Sequence, residues 1–189
     1  YPYIAFKPER DPGDVIFECE KLSKKAPNGD YIFKNVSFRM NKGEKIALLS
    51  RNPLAMTAFF EIISGEDKDF EGKFEYGHTI ATQYIPNDNS KYFSAVDGEL
   101  DMMDWLRQYS KDKDESFIRG FLGRMLFSGE EVFKKVKVLS GGEKVRCMMS
   151  KGMLSNPNFL ILDEPTNHLD LESITALNNG MRDFNGNMI

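Results

Sequence analysis

Two acids close an apolar run near the end of the chain. Phe159-Leu160-Ile161-Leu162 is followed directly by Asp163 and Glu164. Four consecutive apolar residues that stop at an acidic pair predict a fully buried parallel strand. The carboxyl end of such a strand is where open α/β sheets bind ligands. A first carboxylate there can hold Mg²⁺ through its oxygens. The second, one residue on, points elsewhere and can orient or deprotonate a water. Upstream, Ser140-Gly141-Gly142-Glu143 has the S-x-x-E spacing of a capping box, and Val145, Met148, Met149 and Gly152 form a packing stripe behind it. A helix start of this kind offers free N–H groups and a positive dipole end, which suits phosphate. Its two glycines let a ligand approach the backbone closely.

The bulk numbers narrow the setting. At 189 residues the chain fits one domain with a sizeable core, and 41% hydrophobic with 29% charged residues is the composition of a globular chain. No apolar run approaches the ~20 residues of a membrane span, and no signal peptide is visible. The two cysteines, Cys19 and Cys147, match no metal or redox spacing, which predicts a reduced cytoplasmic setting. A net charge of −4 gives no support for general electrostatic attraction to nucleic acid.

The elements that must position these residues follow in chain order. Residues 1–14 are rich in Pro and charge and read as a linker. Val15 to Cys19 and Tyr31 to Met40 read as strands, with Val36, Phe38 and Met40 alternating with polar residues. After the turn signal Asn41-Lys42-Gly43, Lys45 to Leu49 reads as a short, buried strand. A helix follows with Phe59, Phe60 and Ile63, stopped by Gly65. Phe74 to Tyr76 and Thr79 to Ile85 read as strands around a turn at Gly77-His78, with His78 solvated. Residues 97–137 read as helical. Leu100, Met103, Leu106 and Tyr109 form one face, and Phe117, Phe121 and Met125 another. Trp105 is expected in the core and Lys134, Lys135 and Lys137 on a solvated face. Ser128-Gly129-Glu130-Glu131 is a second capping-box pattern. Asp170 caps a last helix with Leu171, Ile174, Leu177, Met181 and Phe184 at helical spacing. Asn187-Met188-Ile189 reads as the start of another strand. Because the chain starts at Tyr1 and stops there, it reads as a fragment of a longer protein.

LSGGE followed by LILDEP resembles the signature and Walker B motifs of ATP-binding cassette (ABC) ATPases. The continuation PTNHLD is similar to the ABC-F branch, soluble twin-cassette proteins without membrane domains, as is Glu143 where transporters more often carry Gln. The opening YPYIAF and the stretch FLGRMLFSGEEV resemble the second cassette of the YbiT-like subgroup. The resemblance implies an α/β, P-loop NTPase fold over residues 15–189, incomplete at its C-terminus. Its parts would be a mainly parallel sheet core, an antiparallel β subdomain and a helical subdomain at about 97–137. It also implies the site. Glu164 would be the general base, and Thr57 with Asp163 the Mg²⁺ groups. Ser140, Gly141, Gly142 and Glu143 would clamp the γ-phosphate of an ATP held by a partner cassette, with Asp170 in the neighbouring loop. The family's metal- and water-binding glutamine would have Asn87 in its place, since Gln83 lies inside a strand. For the aromatic that stacks on adenine, the loop Lys24 to Asp30 offers none, and Tyr31 is either a substitute or a strand residue.

The P-loop is the departure. Against G-x-x-x-x-G-K-[ST], the segment Ser50-Arg51-Asn52-Pro53-Leu54-Ala55-Met56-Thr57 puts Ser50 and Ala55 at the two glycines and Met56 at the lysine. Only Thr57 survives. Pro53 also removes a backbone donor. A charged hydrogen bond contributes roughly 1.5–3 kcal/mol, so loss of the lysine alone weakens binding by on the order of ten- to hundredfold. What holds a cassette's own ATP is eroded, while what it shows to a partner is intact. This predicts an asymmetric pair with the first cassette of the same polypeptide, acting in the cytoplasm at the ribosome on rRNA and ribosomal proteins. A transporter's ATPase subunit is the alternative that NHLD and Glu143 oppose. A non-enzymatic scaffold is the alternative that the P-loop favours and the Asp163-Glu164 pair opposes.

Overall fold

The computed structural model describes residues 1–189, the side chain of Ala95 excepted. In chain order the strands are β1 (Phe17–Lys25), β2 (Tyr31–Met40), β3 (Glu71–Tyr76), β4 (Thr82–Ile85), β5 (Phe159–Leu162) and β6 (Asn187–Met188). The helices are α1 (Pro53–Ile63), α2 (Ala95–Gly98), α3 (Met102–Arg107), α4 (Glu115–Arg124), α5 (Gly141–Leu154) and α6 (Leu171–Asp183). The chain divides into two compact units. One comprises Pro8–Tyr84, Pro157–Asp163 and Asn185–Ile189, and the other Tyr1–Lys7, Ile85–Asn156 and Glu164–Phe184.

The first of these is the sheet unit. Strands β2-β1-β3 form an antiparallel sheet in which Phe17 pairs with Met40 on one side and Tyr76 on the other. Their apolar residues share one face. The Phe17 ring lies 5.0 Å from Tyr76, 5.6 Å from Phe38 and 6.1 Å from Phe159 of β5. β1 is longer than its apolar start suggests, because a bulge carries it past the polar stretch. Lys21 sits at φ 50°, and Gly72 opposite it sits at φ 90° with no room for a side chain, since a Cβ there would lie 2.4 Å from the Lys21 carbonyl oxygen.

The second sheet has the order β4-β5-β6, with β5 and β6 parallel and every residue of β5 buried, as a strand covered on both faces requires. The expected buried strand at Lys45 to Leu49 does not form. Only Lys45 bridges, in parallel, to Met188 of the two-residue β6. The segment is half-exposed, and Leu49 is 89% exposed.

Two buried asparagines fasten loops to this sheet. Asn158 accepts from Ala81 N at 2.7 Å and donates to Thr79 O at 2.8 Å. Asn187 accepts from Gly43 N at 3.0 Å and donates to Asn41 O at 2.7 Å.

The other unit is helical. Trp105 is fully buried as expected, stacked on Phe93 at 4.9 Å, and its indole N–H donates to Tyr92 O at 2.7 Å. α5 buries Val145, Met148, Met149 and Gly152, the stripe read from the sequence. The faces of two other helices match expectation only in part, with Met125, Leu177 and Phe184 buried. α4 buries Ile118 and Leu122 and leaves Phe117 38% exposed, while α6 buries Ser173, Ala176, Leu177 and Gly180 and leaves Leu171 79% exposed. Small residues can be buried and large ones left out, and apolar spacing alone misses this.

The opening residues show why α6 uses its small face. Ile4 and Phe6 are buried, and a Cβ on Gly180 would lie 2.7 Å from the Ile4 carbonyl oxygen. Lys135 and Lys137, expected as a solvated face, both pair with Glu99, whose carboxyl they pull down to about 2. Among the described residues no helix is long and apolar enough to cross a membrane.

The Asn158→Ala substitution empties a buried side-chain site and takes the partner from the part-buried Ala81 N–H and Thr79 C=O together. It is expected to destabilise the domain by about 2–4 kcal/mol, read from urea unfolding, whereas the exposed His78→Ala stays within about 0.5 kcal/mol.

Candidate functional site

The two helix starts that bear on phosphate binding use their amides differently. The first few N–H groups of a helix have no partner inside it, and they are the groups an anion would take. At α1 the first position is Pro53, which has none. The second, Leu54 N, donates to Asn52 Oδ1 at 3.1 Å, and the third, Ala55 N, donates to Asn52 O at 3.0 Å. Asn52 N itself donates to Ser50 Oγ at 3.0 Å. The sequence S-x-N-P therefore makes an ordinary capped helix, closed on itself where a phosphate cradle must be open. Met56 is half-buried and packs against the sheet unit's apolar core, so the lysine position faces hydrocarbon.

At α5 the same positions stay open. Ser140 Oγ accepts from Glu143 N at 3.3 Å, and the Glu143 carboxylate accepts from Ser140 N at 2.7 Å, the capping box expected from S-G-G-E. The box uses the cap and the third position, and among the described residues Gly141 N and Gly142 N donate to no other group. The bond from the Ser140 backbone holds the Glu143 carboxyl below its ordinary range. A recess of ≈ 210 Å³ faces this turn, lined by Ser140, Gly142, Glu143, Arg146, His168 and Asp170 among others. A Cβ on Gly142 would lie 2.8 Å from the His168 carbonyl oxygen, so glycine is required there by the protein itself.

Arg146 and His168 had no role assigned from the sequence. Arg146 donates to Met125 O at 2.9 Å with its guanidinium 4.6 Å from the Phe127 ring centre, which fixes a cation beside Glu143 and Asp170. Its position six residues after Ser140, inside the same helix, was the available signal.

In the sheet unit, Thr57 Oγ1 donates to Asp163 Oδ2 at 2.7 Å. Asp163 is 1% exposed. Two hard oxygens brought together at the end of β5 fit Mg²⁺, which takes one or two protein oxygens and completes its shell with water and phosphate. Among the described residues no group of three or more His, Cys, Asp or Glu could hold a metal. Tyr31 is a β2 residue whose hydroxyl donates to Glu71 at 3.0 Å, with Lys34 Nζ 4.7 Å from its ring centre.

Glu164 belongs to the helical unit. It sits at φ 46° and starts a turn in which Asn167 N donates to Glu164 O at 3.1 Å. Asn167 Nδ2 then donates to Glu164 Oε2 at 2.7 Å and to Asn87 Oδ1 at 3.0 Å. The structure thus brings Asn87 and Glu164 to one side chain, Asn167, that was not singled out. Gln83 stays in β4, donating to Tyr84 O at 3.2 Å.

Asp170 caps α6 by accepting from Ser173 N at 2.7 Å, and that bond lowers its pKa. A lowered carboxyl contributes stability that is fully present above the ordinary Asp value of about 3.9 and lost as pH falls through the folded value. The Asp170→Ala protein is expected to lose about 1 kcal/mol at neutral pH, and the gap to the parent should close as pH falls through the lowered folded value. Urea unfolding across that pH range measures it.

The family model described as ABC transporter matches residues 33–167. Over its whole length the chain is 60% identical to the ABC transporter ATP-binding protein YkpA of Bacillus subtilis, of which it covers 35%. It is 35% identical to the ATP-binding protein YbiT of Escherichia coli O157:H7, again over the whole chain and 35% of that protein. It is 32% identical to the energy-dependent translational throttle protein EttA of E. coli O6:H1, over 92% of this chain and 31% of that one. The chain thus spans about a third of the length of these relatives. Among solved structures, a cobalt transport ATP-binding protein has a TM-score of 0.71 at 18% identity, over 92% of this chain and 69% of that one. The cbiO1 protein of Clostridium perfringens has a TM-score of 0.62 at 22% identity, over 94% and 78%. These likenesses carry the fold, an α/β P-loop ATPase with an antiparallel β part, a parallel sheet and helices. With the matched family model spanning both motif stretches, the chain belongs to the ABC transporter family, as an ATPase domain.

Proposed function

We propose that this domain is the second cassette of a twin-cassette ABC-F protein, and that it works mainly by presenting its signature turn to an ATP held by the first cassette. The observation that carries this reading is the contrast between the two helix starts. α5 keeps the Gly141 and Gly142 amides open, and α1 has spent its own. In the shared site Ser140 Oγ and the two glycine amides would bind the γ-phosphate of the substrate. Glu143 holds the turn in shape through the Ser140 backbone. Arg146 offsets the two carboxylates that line the recess.

The domain's own site would bind Mg-ATP weakly. Thr57 and Asp163 would hold the ion, which supplies charge neutralisation to the phosphates when bound. Glu164 would be the base that takes a proton from water. The relative named as a translational throttle supports a role at the ribosome, in the cytoplasm, with rRNA and ribosomal proteins as contacts. Closing of two cassettes on ATP would shift the population of a ribosome-bound state.

Two measurements on the full-length protein check the reading. With the first cassette's P-loop lysine removed, Met56→Lys is expected to leave Mg-ATP affinity within about tenfold of its starting value. Adding Asn52→Gly and Pro53→Gly should raise affinity by on the order of a hundredfold, because the amides must be freed as well as the charge supplied. Tight calorimetric binding to the unmodified site would defeat the asymmetric scheme.

The second measurement uses the protein with Glu164→Gln and the matching change in the first cassette. It is expected to co-sediment with ribosomes only when ATP is present. No association, with the protein recovered instead in a membrane fraction beside a permease, would favour the transporter-subunit alternative.

A further inference from the structure

The turn after β5 carries a residue whose placement none of the motif roles accounts for. Glu164-Pro165-Thr166-Asn167 is a four-residue turn closed by Asn167 N donating to Glu164 O at 3.1 Å. Proline at its second position presets that φ, so the fourth side chain is delivered beside the first. A primary amide nitrogen has two hydrogens. Asn167 Nδ2 spends one on Glu164 Oε2 at 2.7 Å and the other on Asn87 Oδ1 at 3.0 Å. Both distances are within hydrogen-bonding range, and the shorter goes to the carboxylate, as a charge-assisted bond should.

This has two chemical consequences. Oε2 of Glu164 is tied down, so Oε1 is the oxygen left to accept a proton. Asn87, the residue in the glutamine position, has turned its amide oxygen to Asn167 and thereby fixes which way the Asn167 amide faces. An exposed glutamate has several rotamers, and only some of them aim a carboxylate at a given water. A fixed donor on one oxygen selects among them before substrate arrives.

We propose that Asn167 is a positioning residue, held by Asn87, that orients the Glu164 carboxylate for proton abstraction. The proposal rests on the reading of Glu164 as the general base. It assigns the asparagine of the N-H-L-D stretch a role in the domain's own site, and it makes Asn87 a support for the base through Asn167.

The test uses the full-length protein with every other Walker B glutamate changed to Gln, so that the remaining ATP turnover is this domain's. Asn167→Ala is expected to lower kcat about tenfold with KM for ATP unchanged, because the lost bond acts on the base and on no substrate contact. Asn167→Asp keeps the shape, removes both donors and sets a second negative charge beside the first, so its kcat should fall further. Asn87→Ala should lower kcat less than Asn167→Ala, and should add nothing in the Asn167→Ala background.

The decisive arm is Glu164→Gln. A residue that acts only through Glu164 has no effect once the base is gone, so Asn167→Ala on top of Glu164→Gln should leave the residual rate where it was. A kcat unchanged by Asn167→Ala in a protein that Glu164→Gln silences overturns the proposal and leaves the base reading standing. A rise in KM as the main effect also overturns it, since that is loss of substrate binding. Turnover that Glu164→Gln does not reduce removes the base reading itself and the proposal with it.

Discussion

Strand β5 has no face toward water. Its four residues are 0–8% exposed. It bonds in parallel to β6, with Asn187 N donating to Asn158 O at 2.9 Å and Ile189 N donating to Leu160 O at 3.0 Å. The aromatic rings of β1 and β3 close on Phe159. A strand covered on both faces cannot slip register or rotate without exposing apolar area worth about 25 cal/mol per Å². Its end is therefore a fixed point, and Asp163 is the residue placed on that point. Burying a carboxylate is costly unless it is hydrogen-bonded, and the Thr57 hydroxyl meets that need here. The Thr57–Asp163 bond thus joins the start of α1 to the end of the central strand.

The loop ahead of α1 folds as a helix start for local reasons. A P-loop of the usual kind spends conformational freedom on glycines and leaves amides unpaired, both of which cost stability in the absence of a ligand. Here Asn52 caps, Pro53 presets the first helical φ and Met56 adds apolar contact. Each of these features stabilises the ligand-free helix start. The α5 start makes the opposite choice. Its box caps with side chains and keeps two glycine amides open, at positions where a side chain on Gly142 would strike the His168 carbonyl.

Much of this was legible in the residues themselves. The S-x-x-E spacings at Ser140 and Ser128 both form capping boxes, and the run at Phe159 is the buried strand it promised to be. These signals are local, and local rules read them. The misses depended on distant partners. Lys45 to Leu49 looks like a strand, but only Lys45 bridges, to Met188 far along the chain. α6 turns Gly180 inward where Ile4 lies against it, and nothing in the spacing of Leu171, Ile174 and Met181 records that. Asn167 was overlooked for another reason. Its contacts follow from a turn type, and turns place side chains at i and i+3 that no helix or strand period would pair.

The loop from Asp163 to Asp170 shows how the fold holds an arrangement that its own backbone disfavours. Glu164 and His168 sit at φ 46° and 64°, in the region L-residues avoid. Each such residue costs of order 1 kcal/mol and persists only where its surroundings over-determine it. The surroundings are identifiable. The Asn167 side chain grips Glu164 from within the turn, Leu169 N donates to Thr166 O at 3.2 Å, and Asp170 ends the loop by capping α6. At the amino end the buried β5 allows no retreat. The left-handed residue at 164 opens the turn that Asn167 N closes. The one at 168 sends its carbonyl under the signature turn. Glycine at either position would relieve the strain, but it would also free the backbone there to leave the left-handed region. Keeping Glu and His there holds the carboxylate and the carbonyl where neighbouring groups already meet them.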